Sequence, residues 1–332
     1  MKPDFRLRKF GVNFTRLLSL SSLSALGGLL ATGVFSPVTQ AQTTSPLRGD
    51  GLAIVASIRP LALIANDILA GHGSAVALIN AGDSPHHTTL TPSARLKAAR
   101  ADMLIWVGED LEVALGGLFA EDPRTLTTSE LDGILLDDAE SEAHSSEHGA
   151  DLHLWLSTEN AERIGEAVAD AASRLDEANA DHYAASLARF KSQQAENRNA
   201  FAAEFAALKN AGQQSGLQDR GRFAVYHDAY QYFEHEFGLR HSVALLVDPE
   251  RAPSIRELAA VREALSAARP SCLLTEPDAD AGLIATATQV LAQTAPLRQI
   301  EVDILGRNIN DGEDGYTRLM RAVVADFVEC LR

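Results

Sequence analysis

The sequence predicts an α/β protein of two lobes, each built on a parallel sheet, joined by one long rigid helix, with a metal site in the cleft between them. Short apolar runs alternate with helical patterns over residues 50–175 and again over 221–332, and strand–helix alternation builds parallel sheets covered on both faces. Between them, residues 176–211 contain no glycine or proline and are rich in Ala, Glu, Lys, Arg and Gln. The length, 332 residues, suffices for two modest domains.

In the first lobe Leu52 to Ser57 form a short apolar run, read as a buried strand. Pro60 opens a helix, because proline fits a first helical turn, and Leu61, Ile64, Ile68 and Leu69 give it an apolar face. Ala75–Ile79 is the next strand and runs into a Gly82-Asp83-Ser84-Pro85 loop. Thr91-Pro92 combines a cap with a first-turn proline and starts another helix. Met103–Val107 is a further strand, ending at Gly108, and Leu154-Trp155-Leu156 reads as strand beside His153. Residues 137–151 hold six acids, two histidines and no large apolar group, so they cannot join a core. They read as an exposed mobile loop, serving either solubility or weak cation capture by His144 and His148. Ser157 to Asn160 then lead into a helical pattern carrying Ile164, Val168, Ala171 and Leu175.

The linker helix, 176–211, spans about 50 Å at 1.5 Å per residue and reads as a rigid spacer. The polar stretch Gly212–Gly221 ends it. In the second lobe the expected strands are Phe223–Tyr226, His241–Val247, Cys272–Thr275 and Gln299–Ile304. The expected helices are 228–236, 254–268, 280–292 and 314–331.

Residues 1–41 are a separate object. Lys2, Arg6, Arg8, Lys9 and Arg16 form a basic head, an apolar Ser/Gly-rich run follows from Leu17 to about Val34, and Val38-Thr39-Gln40-Ala41 offers small residues for cleavage. This is the layout of an export signal; a membrane anchor is the alternative, but serines and a glycine pair break the run. The formal net charge is −16, which argues against nucleic-acid binding and against retention on anionic lipid. Export gives meaning to the two cysteines, Cys272 and Cys330. In an oxidising compartment an even pair reads as a disulfide; thiolate metal ligands are the alternative, with no CxxC or nearby histidine to support them.

Three histidines have distinctive settings near strand ends, where open α/β sheets place ligands: His86 after a Gly-Asp-Ser-Pro turn, His153 in Asp151-Leu152-His153, and His227 after Phe223–Tyr226. Three converging imidazoles suit a borderline-soft cation, zinc first. Asp228 could serve a neighbouring imidazole as acceptor. His72, His87, His182, His235 and His241 read as surface or packing residues. Patterns for catalysis fail: His235-Glu236 lacks a second histidine at helical spacing, Gly71-His72-Gly73 lacks the third glycine of a dinucleotide fingerprint, and there is no Gly-x-Ser-x-Gly.

The segments Ser84-Pro85-His86 through Leu90-x-Pro92-Ser93, Asp151-x-His153-x-Trp155-Leu156-Ser157, Tyr226-His227-Asp228-Ala229-Tyr230 and the tail Glu276-Pro277 to Cys330 together resemble a known family. They are similar to the zinc-binding subunits of bacterial ABC importers, the metal-specific cluster A-I (cluster 9) of periplasmic solute-binding proteins, over about residues 50–332. The resemblance implies a monomeric periplasmic protein that captures Zn²⁺ as cargo and is not an enzyme. It implies delivery to an inner-membrane permease with its ATPase, with a periplasmic zinc chaperone as a further partner. It also implies that His86, His153 and His227 are the zinc ligands, that 137–151 is the family's acidic loop, and that Cys272 pairs with Cys330. Some members carry a glutamate ligand just before the first histidine, where this chain has Pro85. Asp303 sits where manganese-type relatives place an aspartate ligand, so a fourth ligand is either Asp303 or water. Those relatives replace the third histidine with glutamate; His227 favours zinc here. The rival readings are a manganese or iron subunit of the same architecture, a periplasmic zinc hydrolase and a cell-surface adhesin.

Overall fold

A computed structural model describes residues 51–80, 82–136, 151–214, 222–249, 251–291 and 297–332. The export-signal reading of 1–41, the loop histidines His144 and His148, and residues 215–221 lie outside the described residues; the linker helix expected over 176–211 and ended by Gly212 instead runs from Ala180 through Gly212 to Gln214.

The first lobe alternates strands and helices as the apolar pattern requires: β1 (Leu52–Ala56), α1 (Arg59–Leu69), β2 (Gly73–Ala77), α2 (Pro92–Ala99), β3 (Met103–Trp106), α3 (Gly116–Phe119), β4 (Thr125–Thr127) and α4 (Thr158–Leu175). Next comes α5 (Ala180–Gln214), of 35 residues. The second lobe repeats the scheme with β5 (Phe223–His227), α6 (Gln231–Phe237), β6 (Val243–Leu246), α7 (Ile255–Ala268), β7 (Cys272–Thr275), α8 (Ala281–Thr288), β8 (Arg298–Glu301) and α9 (Gly315–Leu331). The sheets run β2-β1-β3-β4 and β6-β5-β7-β8, and every pairing is parallel. The central strands β1 and β5 are buried throughout, which is why they read as continuous apolar runs rather than alternating ones. In each sheet the chain order reverses beside the central strand, opening a crevice at the carboxyl ends of the strands.

Several expectations are corrected. Leu154–Leu156 forms a 3₁₀ turn, not a strand; all three side chains are buried, so burial rather than pleating explains the apolar run. The edge strand β4 was not expected. Its Thr-Leu-Thr sequence carries little apolar signal, and it is held by pairing with β3 and by Trp106 Nε1 donating to Thr127 Oγ1 at 2.9 Å. The strand expected over 299–304 stops at Glu301: Val302 N–H still donates to the Thr275 carbonyl, and the chain then turns. The helix expected from 228 begins at Gln231, after Ala229 N–H closes a tight turn onto the His227 carbonyl.

The long helix joins the lobes, and it is packed along its course. Tyr183, Phe190, Phe201 and Phe205 are buried on one face. Lys191 pairs with Glu166 of α4 (2.5 Å), Phe190 meets Tyr316 of α9, and Phe201 and Phe205 meet Phe237 of α6. Arg198 donates to Thr158 Oγ1 (2.8 Å) and to Glu236 (3.1 Å), binding α4, α5 and α6 at one point.

The C-terminal helix α9 also crosses between lobes. The Asp67 carboxylate of α1 accepts the N–H groups of Gly315 (2.8 Å) and Tyr316 (3.0 Å), the groups a helix start leaves unpaired. Gly315 permits this approach, since a Cβ there would lie 2.8 Å from Leu63. At its other end, Cys330 is disulfide-bonded to Cys272 at the start of β7.

Glu112 is a buried carboxylate whose oxygen accepts the Val107 and Gly108 N–H groups at 2.8 and 3.2 Å. Burial pushes it up to about 7, against the pull of those two donors. A raised carboxylate pKa means that the folded state holds the proton more tightly. This contribution to stability is present at low pH and is lost as pH rises from about 4.5 to about 7. Glu112→Gln keeps an acceptor and removes the charge. It is expected to raise the apo-protein's Tm at pH 8 by the equivalent of up to about 3 kcal/mol, and to leave it little changed at pH 4.5. Thermal unfolding of both proteins across that pH range checks the result.

Candidate metal centre

Each of the three histidines is aimed by its local backbone. His86 lies nine residues beyond the end of β2. Its N–H donates to Ser84 Oγ (3.3 Å), and the buried Pro85 fixes the turn before it. The Asp151 carboxylate accepts the backbone N–H of His153 (2.9 Å) and its ring Nδ1–H (2.7 Å), so one short Asp-x-His segment orients backbone and ring together. His227 is the last residue of β5 and stands at the crevice between β5 and β7. Its Nδ1–H donates to Glu276, the residue just after β7, at 3.1 Å.

These placements bring the three rings together. Ring centroids are 5.6 Å apart for His86–His153, 5.5 Å for His86–His227 and 4.9 Å for His153–His227. One nitrogen from each ring lies within 4.8 Å of the other two. Tetrahedral zinc with bonds near 2.05 Å needs nitrogens about 3.4 Å apart, a contraction within reach of small side-chain rotations. Asp151 and Glu276 hold the Nδ1 protons of their histidines, which leaves Nε2 of each free to ligate. His86 Nε2 is buried with no hydrogen-bond partner.

The electrostatics suit a cation. Burial first, then the His153 and His227 rings, push His86 down to about 3, so it stays neutral and able to ligate at any physiological pH. Burial opposes the charged form of His227 as well. There the hydrogen bond and charge of Glu276, with Asp151 and Asp228, outweigh it and raise the pKa above the usual histidine range. The second-lobe ring therefore sits in a negative environment that a metal ion can take over.

The cavity around the rings has a volume of about 300 Å³ and is lined from both lobes. Asp83, Pro85 and Trp155 come from the first, and Tyr226, Glu276, Asp303 and Arg307 from the second. Asp303 is thus in the site, but its carboxylate is not among the groups within 4.8 Å of one another. One Asp303 oxygen accepts the Asn308 N–H (3.2 Å); the other is buried and unpartnered. Asp228 acts on His227 by charge and is not its hydrogen-bond acceptor: its oxygen faces His241 Nε2 at 3.8 Å, while Glu234 accepts from His241 Nδ1 at 2.8 Å. His241 is a buried, partnered packing residue. Glu276 and Asp151 are the carboxylates that hydrogen-bond the rings, a part that pattern reading did not give them. An acid directly after a strand at the chain-order reversal, and an acid two residues before a histidine, were the available signals.

The family model described as "Zinc-uptake complex component A periplasmic" matches residues 54–330. The "High-affinity zinc uptake system protein ZnuA" of Haemophilus ducreyi is 27% identical over 302 residues, 84% of this chain and 93% of that protein. The protein of the same description from Yersinia pestis is 28% identical over 312 residues, covering 87% and 94%. Among solved structures, the periplasmic zinc-binding protein TroA from Treponema pallidum superposes with a TM-score of 0.70 at 19% identity, over 85% of this chain and 99% of that one, a likeness of fold.

Proposed function

This chain belongs to the ZnuA family of periplasmic zinc-uptake components, and from that premise we propose that it captures Zn²⁺ through His86, His153 and His227 in the cleft between its lobes. It is a zinc-binding subunit of an ABC importer, a solute-binding protein of a family that works with an inner-membrane permease and its ATPase. The observation that carries the ligand assignment is the convergence of three imidazoles from both lobes, two of them held in one tautomer by a carboxylate. Three neutral nitrogens plus one further ligand is the donor set zinc prefers, and a third imidazole in place of a carboxylate disfavours hard manganese.

The working cycle follows from the parts. Zinc enters the cleft, and each Nε2 replaces one of its waters. His86 has no proton to lose, whereas His227 competes with a proton held by Glu276, so affinity falls as pH drops through the range where His227 protonates. The export reading of residues 1–41 and release of zinc by a monomer onto its permease complete the proposal. Calorimetry on chelator-stripped protein is expected to give one tight zinc per chain, weaker binding of manganese, and proton release that grows as pH falls below neutral. Absence of a tight zinc site overturns the assignment.

A further inference from the structure

The helix after His227 reaches back to the segment that carries His153. Ala229 N–H closes a tight turn onto the His227 carbonyl and α6 begins at Gln231, so the helix is carried by the same strand end as the ligand. The Tyr232 hydroxyl, on the first turn of α6, donates to the Asp151 carbonyl at 2.6 Å. One turn on, the Glu236 carboxylate accepts the Thr158 N–H at 2.8 Å and the Thr158 hydroxyl as well. Residues four apart lie on one helix face, so a single face of α6 grips residues 151–158 at both ends. Arg198 of α5 backs the second grip by donating to Glu236 at 3.1 Å. Between the grips, Trp155 Nε1 donates to the Ile304 carbonyl (2.9 Å) and the Tyr316 hydroxyl donates to the Trp155 carbonyl (2.8 Å). Tyr232 acts at the His153 end. It holds the backbone of the residue whose carboxylate orients both the N–H and the ring of His153, and Tyr232 and His153 are both buried.

Resting on the zinc reading above, we propose that Tyr232 is a positioning residue that registers His153 of the first lobe against His227 of the second. The rings it ties are the closest pair of the trio, 4.9 Å between centroids against 5.6 and 5.5 Å for the pairs with His86. Order built in before the ion arrives takes nothing from the energy of binding, whereas a ligand that must be fixed on arrival weakens it. Removing the hydroxyl leaves the Asp151 carboxylate on His153 but frees the two from α6. Tyr232 does not touch the ion; it works through Asp151 and His153.

The test is zinc affinity by competition with a chromophoric chelator, with Co²⁺ as a coloured probe of ligand geometry, since Zn²⁺ has a filled d shell. Tyr232→Phe is expected to weaken zinc binding about fivefold, the worth of one hydrogen bond, and to change the intensity of the visible Co²⁺ bands. Glu236→Ala opens the other grip and is expected to act in the same direction. In a His153→Ala background Tyr232→Phe adds nothing, because the ring it positions is gone. In a His86→Ala background it keeps its full effect. A merely structural role lowers affinity equally in both backgrounds. Unchanged zinc affinity in Tyr232→Phe, or a loss that persists in the His153→Ala background, overturns the proposal. Wild-type circular dichroism reports that each variant is folded. A wild-type protein with no tight zinc site would instead remove the reading on which the proposal rests.

Discussion

Replacing His227 with alanine is expected to weaken zinc binding by two to three orders of magnitude. Structural zinc sites of four ligands are worth about 10–16 kcal/mol, so one ligand carries roughly 3–4 kcal/mol, and each 1.4 kcal/mol is a factor of ten. The position matters as well as the donor count, because His86 and His153 both belong to the first lobe and His227 is the member of the trio from the second. Without it the ion no longer bridges the cleft. Glu276→Gln should fall between the variant and wild type. The amide still meets Nδ1 but no longer holds its proton as a carboxylate does, and loss of such support typically costs 10- to 100-fold. Competition against a chromophoric chelator measures both. An unchanged affinity in His227→Ala, with the circular dichroism of the wild type, removes His227 from the ligand set.

Removing the disulfide is the second large effect. Cys272 and Cys330 are separated by 58 residues, and both are buried. Closing a loop of that length restricts the unfolded chain by ~4 kcal/mol in the chain-entropy account. Domains are stable by about 5–15 kcal/mol, so the bond is worth about a quarter or more of the total. Cys272→Ala with Cys330→Ala is expected to lower Tm by about 10 °C. Reductant should have the same effect on the wild type and none on the double variant. Zinc affinity should change little. Cys272 opens β7, whereas the site stands beyond its other end, about 13 Å further along a strand of four residues. A double variant as heat-resistant as the wild type would show that packing around α9, not the crosslink, holds the second lobe.

The architecture was legible where burial and local pattern agree. Ile54 and Val55, or Ala224 and Val225, are apolar on both faces because both faces are covered, and the parallel sheets follow. The same signal misled at Leu154-Trp155-Leu156, where three buried side chains come from a 3₁₀ turn. An apolar run reports burial and does not by itself separate strand from turn. The reverse failure is β4, whose threonines pair at an edge without an apolar face to announce them. At the site, His86, His153 and His227 were legible from turn chemistry and strand ends. The partnership of His227 with Glu276, 49 residues away, depends on β5 and β7 lying side by side, which local sequence does not encode. Asp228 was the nearer acid in sequence, yet it points to His241. The packed face of the long helix was readable in the spacing of Tyr183, Phe190, Phe201 and Phe205, but only a tertiary contact reveals that both lobes share it.

The Asp67 cap on α9 has a consequence in time as well as space. Asp67 and Gly315 are 248 residues apart. As the chain emerges in order, α1 arrives early with a carboxylate placed to be buried, and the N–H groups that compensate it come near the end. Until then the ionised side chain resists burial, and the surface under Leu63 stays uncovered. The first lobe thus receives the partners of its Asp67 carboxylate only from the last helix of the chain.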